Sequence, residues 1–457
     1  MKTRILSLVL ILTLLFVCGV ASFADGYVPN EVLVQLQPGV SITAFNAAYN
    51  TTTLASGSNN TYCLGTASNV DDVALATTMS ADTTRVISAE PNQAPNSQFI
   101  FSADGIDPQT GQPIQTSQFI FGADADQDKS TQFIFGADAD QNPSTQFIFG
   151  ADQFIFGADQ FIFGADRNPG LYAYVTQPTS SLIHYGATAK HYNGAGVLVA
   201  VLDTGVSTRN PLLALHVTKG WNFVNGNSNT DDSPSGIDSN GNGIADEDAG
   251  HGTMVAGLIN RYAQGATILP VKVLNSDGAG NLLNIVQGIR YAVSKGAKVI
   301  NMSVGTPKNS PLLRNAIKDA WAAGVIVITA AGNDNTFNKQ FPAGDNITIA
   351  VGSLDANNVK ASFSNYGAWV DVVAPGVGLP STFWNGGYAA WSGTSFSAPL
   401  VTAEAALIIS ARPNWTATKV RARIKNQADS VDLLNLPYTG LLGAGIIDMD
   451  QALSFGN

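Results

Sequence analysis

Apolar segments of strand character alternate with helical stretches through residues 171–457, and this alternation restricts the fold more than any other feature. The run Val197-Leu198-Val199-Ala200-Val201-Leu202 contains no polar position, and strand-like runs recur at 268–274, 298–302 and 325–330. Helical stretches at 283–294 and 312–323 lie between them. A strand without a polar face is buried on both sides, and strands separated by helices of this length pair in parallel. The expected class is α/β, with a doubly wound, mostly parallel sheet over 171–457. Active sites of such folds gather at the carboxyl ends of the strands.

Polar residues of a catalytic kind sit at those ends. Asp203 closes the first run in Leu202-Asp203-Thr204-Gly205. The Asp-Thr-Gly triplet also occurs in aspartic proteases, which need two such carboxylates in one site. With one triplet here, that reading requires a homodimer. His251 lies in Gly250-His251-Gly252-Thr253-Met254-Val255-Ala256-Gly257, whose small residues allow a close-packed helix to begin at the imidazole. The other histidines, His184, His191 and His216, have no comparable context. Ser395 lies in Gly393-Thr394-Ser395-Phe396-Ser397-Ala398-Pro399, ahead of an apolar helix expected over 399–410. A serine there is either an N-cap or a nucleophile whose backbone N–H faces an oxyanion, and Ser397 competes for the nucleophile role. Asn333 follows the run ending Ala330-Ala331-Gly332 and is either a turn former or an oxyanion donor. Peptide hydrolysis by serine needs a hydroxyl, a base, an orienting carboxylate and an anion pocket, and each has a candidate here.

The segments LDTGV, GHGTMVAG, NMSVG, AAGND and GTSFSAP, with Asn365-Tyr366-Gly367 and Ala374-Pro375-Gly376, stand in an order that resembles the subtilisin-like serine proteases. The order Asp, His, Ser is that of subtilisin. The resemblance covers about residues 180–455. It implies endopeptidase activity on polypeptide substrates, with Asp203, His251 and Ser395 as triad and Asn333 as oxyanion donor. It implies that Ser303-Val304-Gly305 binds substrate backbone as an extended edge. Ala330, Ala331 and Gly332 would then line the pocket for the residue before the scissile bond. Met254, Leu400 and Phe396 depart from common family residues, the segment 335–341 is short for a pocket-forming loop, and Glu404 interrupts the nucleophile's apolar helix. At 100° per residue, Glu404 faces away from Ser395.

Residues 238–248 place Asp238, Asn240, Asn242, Ile244, Asp246 and Asp248 at alternate positions around glycines, a spacing that suits Ca²⁺. The loop resembles calcium loops of some exported subtilisin-like enzymes. It lacks the EF-hand's twelfth ligand, since Ala249 stands there. A plain acidic surface loop is the alternative. The expected role of calcium is structural.

Lys2 and Arg4, the apolar run 5–17 and the small residues Ser22 and Ala24 read as an export signal over 1–24, so a secreted protein without stable membrane insertion is expected. A retained anchor, or a lipid anchor through Cys18, is the alternative, although Val17 is bulky for the latter. The two cysteines, Cys18 and Cys63, both precede the expected catalytic domain, which therefore has no disulfide. Residues 25–96 read as a small α+β unit with a strand at 32–36, helices at 42–49 and after Asp71-Asp72, and a last strand ending near Glu90-Pro91-Asn92. Its order resembles the inhibitory pro-domain of subtilisin-like enzymes, which acts as the enzyme's own inhibitor. Over 97–170 the heptapeptide Gln-Phe-Ile-Phe-(Gly/Ser)-Ala-Asp occurs six times, starting at Gln98, Gln118, Gln132, Gln146, Gln153 and Gln160. It reads as an expanded linker, as a strand-pairing module, or as a series of self-cleavage sites. A different function class also stands open: a surface or assembly protein acting through these repeats, with an inert protease domain. A net charge of −11, with 34 acidic and 23 basic side chains, argues against nucleic acid as a partner.

Overall fold

The computed structural model describes residues 27–93, 119–121, 169–239, 241 and 243–455. The expected leader, most of the repeat region, Asn240 and Asn242 lie outside the described residues.

The N-terminal unit consists of β1 (Tyr27–Leu36), α1 (Ile42–Tyr49), β2 (Thr52–Ser56), β3 (Thr61–Gly65), α2 (Asp72–Ser80) and β4 (Val86–Gln93). Its antiparallel sheet has the order β2-β3-β1-β4. Local chemistry sets both helix starts: Ser41 accepts from Ala44 N, and Asp71 accepts from Val73 N and Ala74 N. The pleat then divides β1. Val32, Val34 and Leu36 pack with Phe45, Leu64 and Met79 inside the unit, while Leu33 and Cys63 join a core belonging to the larger domain.

After β5 (Phe119–Phe121), the chain builds β6 (Leu198–Asp203), β7 (Trp221–Asn222), α3 (His251–Tyr262), β8 (Thr267–Lys272), α4 (Leu282–Ser294), β9 (Val299–Met302), α5 (Pro311–Ala322), β10 (Ile326–Ala330), β11 (Ile349–Leu354) and β12 (Val372–Pro375). β13 (Leu379–Thr382), β14 (Tyr388–Trp391), α6 (Thr394–Ala411) and α7 (Ala417–Asn426) follow. The main sheet has seven parallel strands in the order β12-β11-β10-β9-β6-β8-β7. The doubly wound expectation holds. Val199 and Val201 face α3 and α6, and Ala200 and Leu202 face α4 and α5, so both faces of β6 are buried. The order reverses between β9 and β6, and the residues following these strands open onto one crevice. α6 is long and apolar enough to cross a bilayer, but it is a core helix, buried along most of its length.

The N-terminal unit docks on α4 and α5. Arg290 of α4 donates to Ser58 O (3.1 Å) and Thr61 Oγ1 (2.5 Å). Glu90 of β4 accepts from Ser310 Oγ (2.7 Å) and Leu312 N (2.9 Å), which caps α5 from outside its own domain.

Candidate active site

Asp203 is the last residue of β6, fully buried, and its Oδ1 accepts from Thr204 N at 2.7 Å. The same oxygen lies 2.7 Å from His251 Nδ1. His251 is the first residue of α3, brought against the strand end because Gly252 has no side chain: a Cβ there would lie 2.2 Å from Gly205 O. Asp203 is thus engaged with an imidazole, which does not fit the aspartic-protease alternative.

Sequence reading missed the residue that fixes the start of α3. Asp232, fully buried, accepts from Gly250 N (3.0 Å), Thr253 N (2.9 Å) and Thr253 Oγ1 (2.7 Å). Nothing in the sequence ties Asp232 to His251; they meet only through the loop's path. Burial raises the Asp232 carboxyl, with Lys272 and these hydrogen bonds opposing. Lys272, at the end of β8, is also buried and donates to Thr204 O. Burial lowers its ammonium, and the charges of Asp232 and Asp203 hold it up. His251 sums these influences: burial lowers its pKa, but the charge and hydrogen bond of Asp203, then Asp248 and Asp232, leave it raised.

Ser395 is the second residue of α6, which starts five residues before the expected 399, with Pro399 inside the helix. Pro399 has no N–H for the carbonyl of Ser395. Ser303 Oγ donates to that carbonyl instead, at 2.7 Å. Asn301 Nδ2 donates to Ser303 Oγ (2.9 Å), and Thr402 Oγ1 donates to Asn301 Oδ1 (2.8 Å), so a buried polar ladder joins β9 to α6. The Ser395 hydroxyl donates to Ser303 O at 3.2 Å. His251 Nε2 has no hydrogen-bond partner among the described residues. The structure therefore joins Asp203 to His251 and leaves the Ser395 hydroxyl turned to Ser303. Ser397 points elsewhere, donating to Ala374 O and Pro375 O of β12.

Asn333 lies beyond the end of β10. Its Oδ1 accepts from Thr394 N (2.9 Å) and Thr394 Oγ1 (2.8 Å), which assigns Nδ2 as the donor end. Gly393 keeps that amide uncrowded: a Cβ there would stand 3.1 Å from Nδ2, on a backbone with φ of 154°. Ala330, Ala331 and Gly332 are buried beside it, and Asn365 ties this loop by accepting from Asp334 N and donating to Ala331 O. Ser303, Val304 and Gly305, which follow β9, are also buried. Trp391 packs its ring 6.3 Å from that of His251 and 6.0 Å from Phe396. Ser395 is 0% and His251 2% exposed, so both side chains are buried.

Glu404 is fully buried, with neither oxygen hydrogen-bonded among the described residues. Burial raises its carboxyl well above the usual range. In the 238–248 loop, Asp238 accepts from Gly241 N (2.7 Å) and Gly243 N (2.8 Å), and Asp246 accepts from Ser235 N and Gly236 N (both 2.6 Å). These carboxylates order the turn. Among the described residues, the one group of three acidic or histidine side chains with converging ligand atoms is His184, Asp429 and Asp448, far along the chain from this loop. Asp248 lies near enough to His251 for its charge to raise the imidazole.

The sequence profile of the Subtilase family matches residues 194–445. The chain is 38% identical over 275 residues to alkaline elastase YaB of Bacillus sp. (strain YaB), covering 58% of this chain and 67% of that one. It is 40% identical over 260 residues to subtilisin BL of Lederbergia lenta, covering 55% and 90%. A solved protease from Pseudoalteromonas arctica superposes with a TM-score of 0.53 at 30% identity, covering 58% of this chain and 92% of that one. With the parallel sheet, the buried Asp203–His251 pair and the helix that begins beside Ser395, these likenesses establish the chain as a member of the subtilase family and a serine endopeptidase.

Proposed function

We propose that the chain is an exported endopeptidase made as a self-inhibited precursor, with Ser395 as nucleophile, His251 as general base and Asp203 as its orienting partner. The supporting observation is the 2.7 Å Asp203–His251 contact at the start of α3, with the His251 ring centred 5.3 Å from that of Phe396, the residue after Ser395. That bond holds Nδ1 protonated and leaves Nε2 as the base. The reaction requires the Ser395 hydroxyl to turn from Ser303 O to Nε2. The hydroxyl attacks the peptide carbonyl, His251 passes the proton to the leaving amine, and water resolves the acyl-enzyme by the same route. Asn333 Nδ2 and the Ser395 N–H stabilise the oxyanion. Ser303-Val304-Gly305 pairs with the substrate backbone, and Ala330, Ala331 and Gly332 form the pocket wall.

Residues 25–96 act as the inhibitory pro-domain, 97–170 as a linker and 171–457 as the catalytic domain, with 1–24 removed on export. Docking of the N-terminal unit on α4 and α5 supports the precursor reading. Structural calcium is general among subtilases. Here the 238–248 loop is the candidate site, since Asp238 and Asp246 order a turn that carries several oxygen donors. The ion takes no part in the steps above.

Casein hydrolysis and mass spectrometry of the exported product test the assignment. Ser395→Ala should abolish both hydrolysis and self-processing, and undiminished hydrolysis would remove Ser395 from the mechanism.

A further inference from the structure

The third strand of the β13–β14 sheet comes from the repeat region. β5 is the Phe-Ile-Phe of the second heptapeptide copy, and it pairs antiparallel with β14 in the register Tyr388↔Phe121, Ala389↔Ile120, Ala390↔Phe119. Without it, β13 and β14 form a two-stranded ribbon whose β14 edge would present unpaired N–H and C=O groups. Recognition of an added strand rests on main-chain hydrogen bonds. The paired stretch is three residues long, and the same three residues recur at 99–101, 133–135, 147–149, 154–156 and 161–163. Where the linker rejoins the fold, the helix Pro169–Thr176 sets Tyr174 with its ring 5.5 Å from that of Tyr388 on the same strand. The copies at 133–135 and 147–149 lie closer along the chain to this anchor than the docked copy does. Tethering therefore gives them an effective concentration at the edge no lower than that of 119–121.

We propose that the β14 edge is a docking slot for the Phe-Ile-Phe repeats of the same chain, and that the second, third and fourth copies occupy it interchangeably. The slot lies beside the reactive centre: Trp391, the last residue of β14, packs against His251, and the chain runs from it through Gly393 and Thr394 into Ser395. A bound repeat fixes the linker alongside the crevice. Loss of one copy by cleavage or mutation brings in the next, so the edge stays covered until the repeats are exhausted.

Directly opposed residues of an antiparallel pair stand within disulfide reach. In the full chain carrying Ser395→Ala, which keeps the linker whole, Ala389→Cys is combined in turn with Ile120→Cys, Ile134→Cys and Ile148→Cys. Mild oxidation should cross-link all three within one molecule, with yields within about threefold of one another. Cross-linking through Ile120→Cys alone overturns interchangeability. Cross-linking through none of them, or only between molecules, overturns docking by the chain's own repeats. Amide exchange at Tyr388–Trp391 gives a cysteine-free readout. Ile→Pro at position 120 alone should leave protection within about twofold, while Ile→Pro in all six copies should lower it about tenfold or more. Unchanged protection in the sixfold variant rejects the slot.

Discussion

Docking of the N-terminal unit should weaken as pH rises, and one carboxyl should account for most of the effect. Glu90 sits at the start of α5 with Ser310 Oγ and Leu312 N as donors. Burial pushes its carboxyl from the ordinary 4.5 up to about 7, against the smaller lowering effect of those two hydrogen bonds. The docked state therefore holds the proton more tightly than the released state. Stability from this contact is complete below pH 4.5 and is lost as pH climbs through about 7. The change in proton affinity corresponds to about 3 kcal/mol, a weakening of about a hundredfold in the docking equilibrium between pH 5 and pH 8. Glu90→Gln keeps an acceptor for both donors and cannot ionise. In a Ser395→Ala background, denaturant unfolding followed from pH 5 to pH 8 should show docking stability falling for Glu90 and nearly level for Glu90→Gln. Equal slopes in the two proteins would refute the argument, because the pH dependence would then arise elsewhere.

The raised His251 predicts that kcat/KM of the processed enzyme falls on the acid side at a pH above the ordinary 6.5 of histidine, since the protonated ring is no base. Asp248→Asn removes one of the charges that raise it, so the acid limb should move to lower pH; a shift upward would contradict the electrostatic account. Glu404→Met replaces a buried carboxyl lacking hydrogen bonds with an apolar chain of similar length, and should stabilise the fold by about 1–3 kcal/mol. The gain should be larger at alkaline pH, where the native carboxyl is driven to ionise in a site that disfavours charge, and a lower melting point at pH 9 would count against it. Chelator should lower the melting temperature and added Ca²⁺ restore it, with Asp238→Asn reducing the response; a melting temperature indifferent to both treatments would exclude a structural ion.

Elements whose ends carry their own chemistry were legible in the sequence, and elements bounded by distant partners were not. α1 spans the expected 42–49 because Ser41 caps one end and Asn50, in the left-handed region at φ 52°, closes the other. Strands β6, β9 and β10 fall within a residue or so of their apolar runs because both faces are buried. The sequence places the start of α6 at Pro399, a common first-turn residue. It begins at Thr394, and Ser303, just beyond β9, serves the carbonyl that Pro399 cannot. The direction of Glu404 away from Ser395 followed from helical geometry, but its complete burial depends on how the sheet, α3 and the C-terminal helices enclose α6. Motif context singled out Asp203 and His251, which meet at 2.7 Å, yet the cap that positions His251 is Asp232, from a loop with no motif. The acidic spacing at 238–248 shows the same ambiguity in reverse: oxygen at alternate positions serves backbone N–H groups as readily as a cation.

The contacts that hold the N-terminal unit also border the wall assigned to substrate. Ser303 to Thr306 lead directly toward α5, and Thr306 pairs with Phe341 in a two-way backbone bridge of 2.8 and 2.7 Å. Just beyond, the unit grips the chain twice: Lys308 Nζ stands 3.6 Å from the centre of the Tyr27 ring, and Glu90 takes Ser310 and Leu312. Asp203 and His251 belong to β6 and α3, and their side chains bond to each other and to Thr204 rather than to this segment. Ionising Glu90 therefore acts first on the segment between the substrate wall and α5, while the base and its carboxylate keep their geometry. On the proposed precursor reading, release of the N-terminal unit at rising pH loosens it beside the substrate wall and leaves the reactive centre assembled, which separates control of access from control of chemistry.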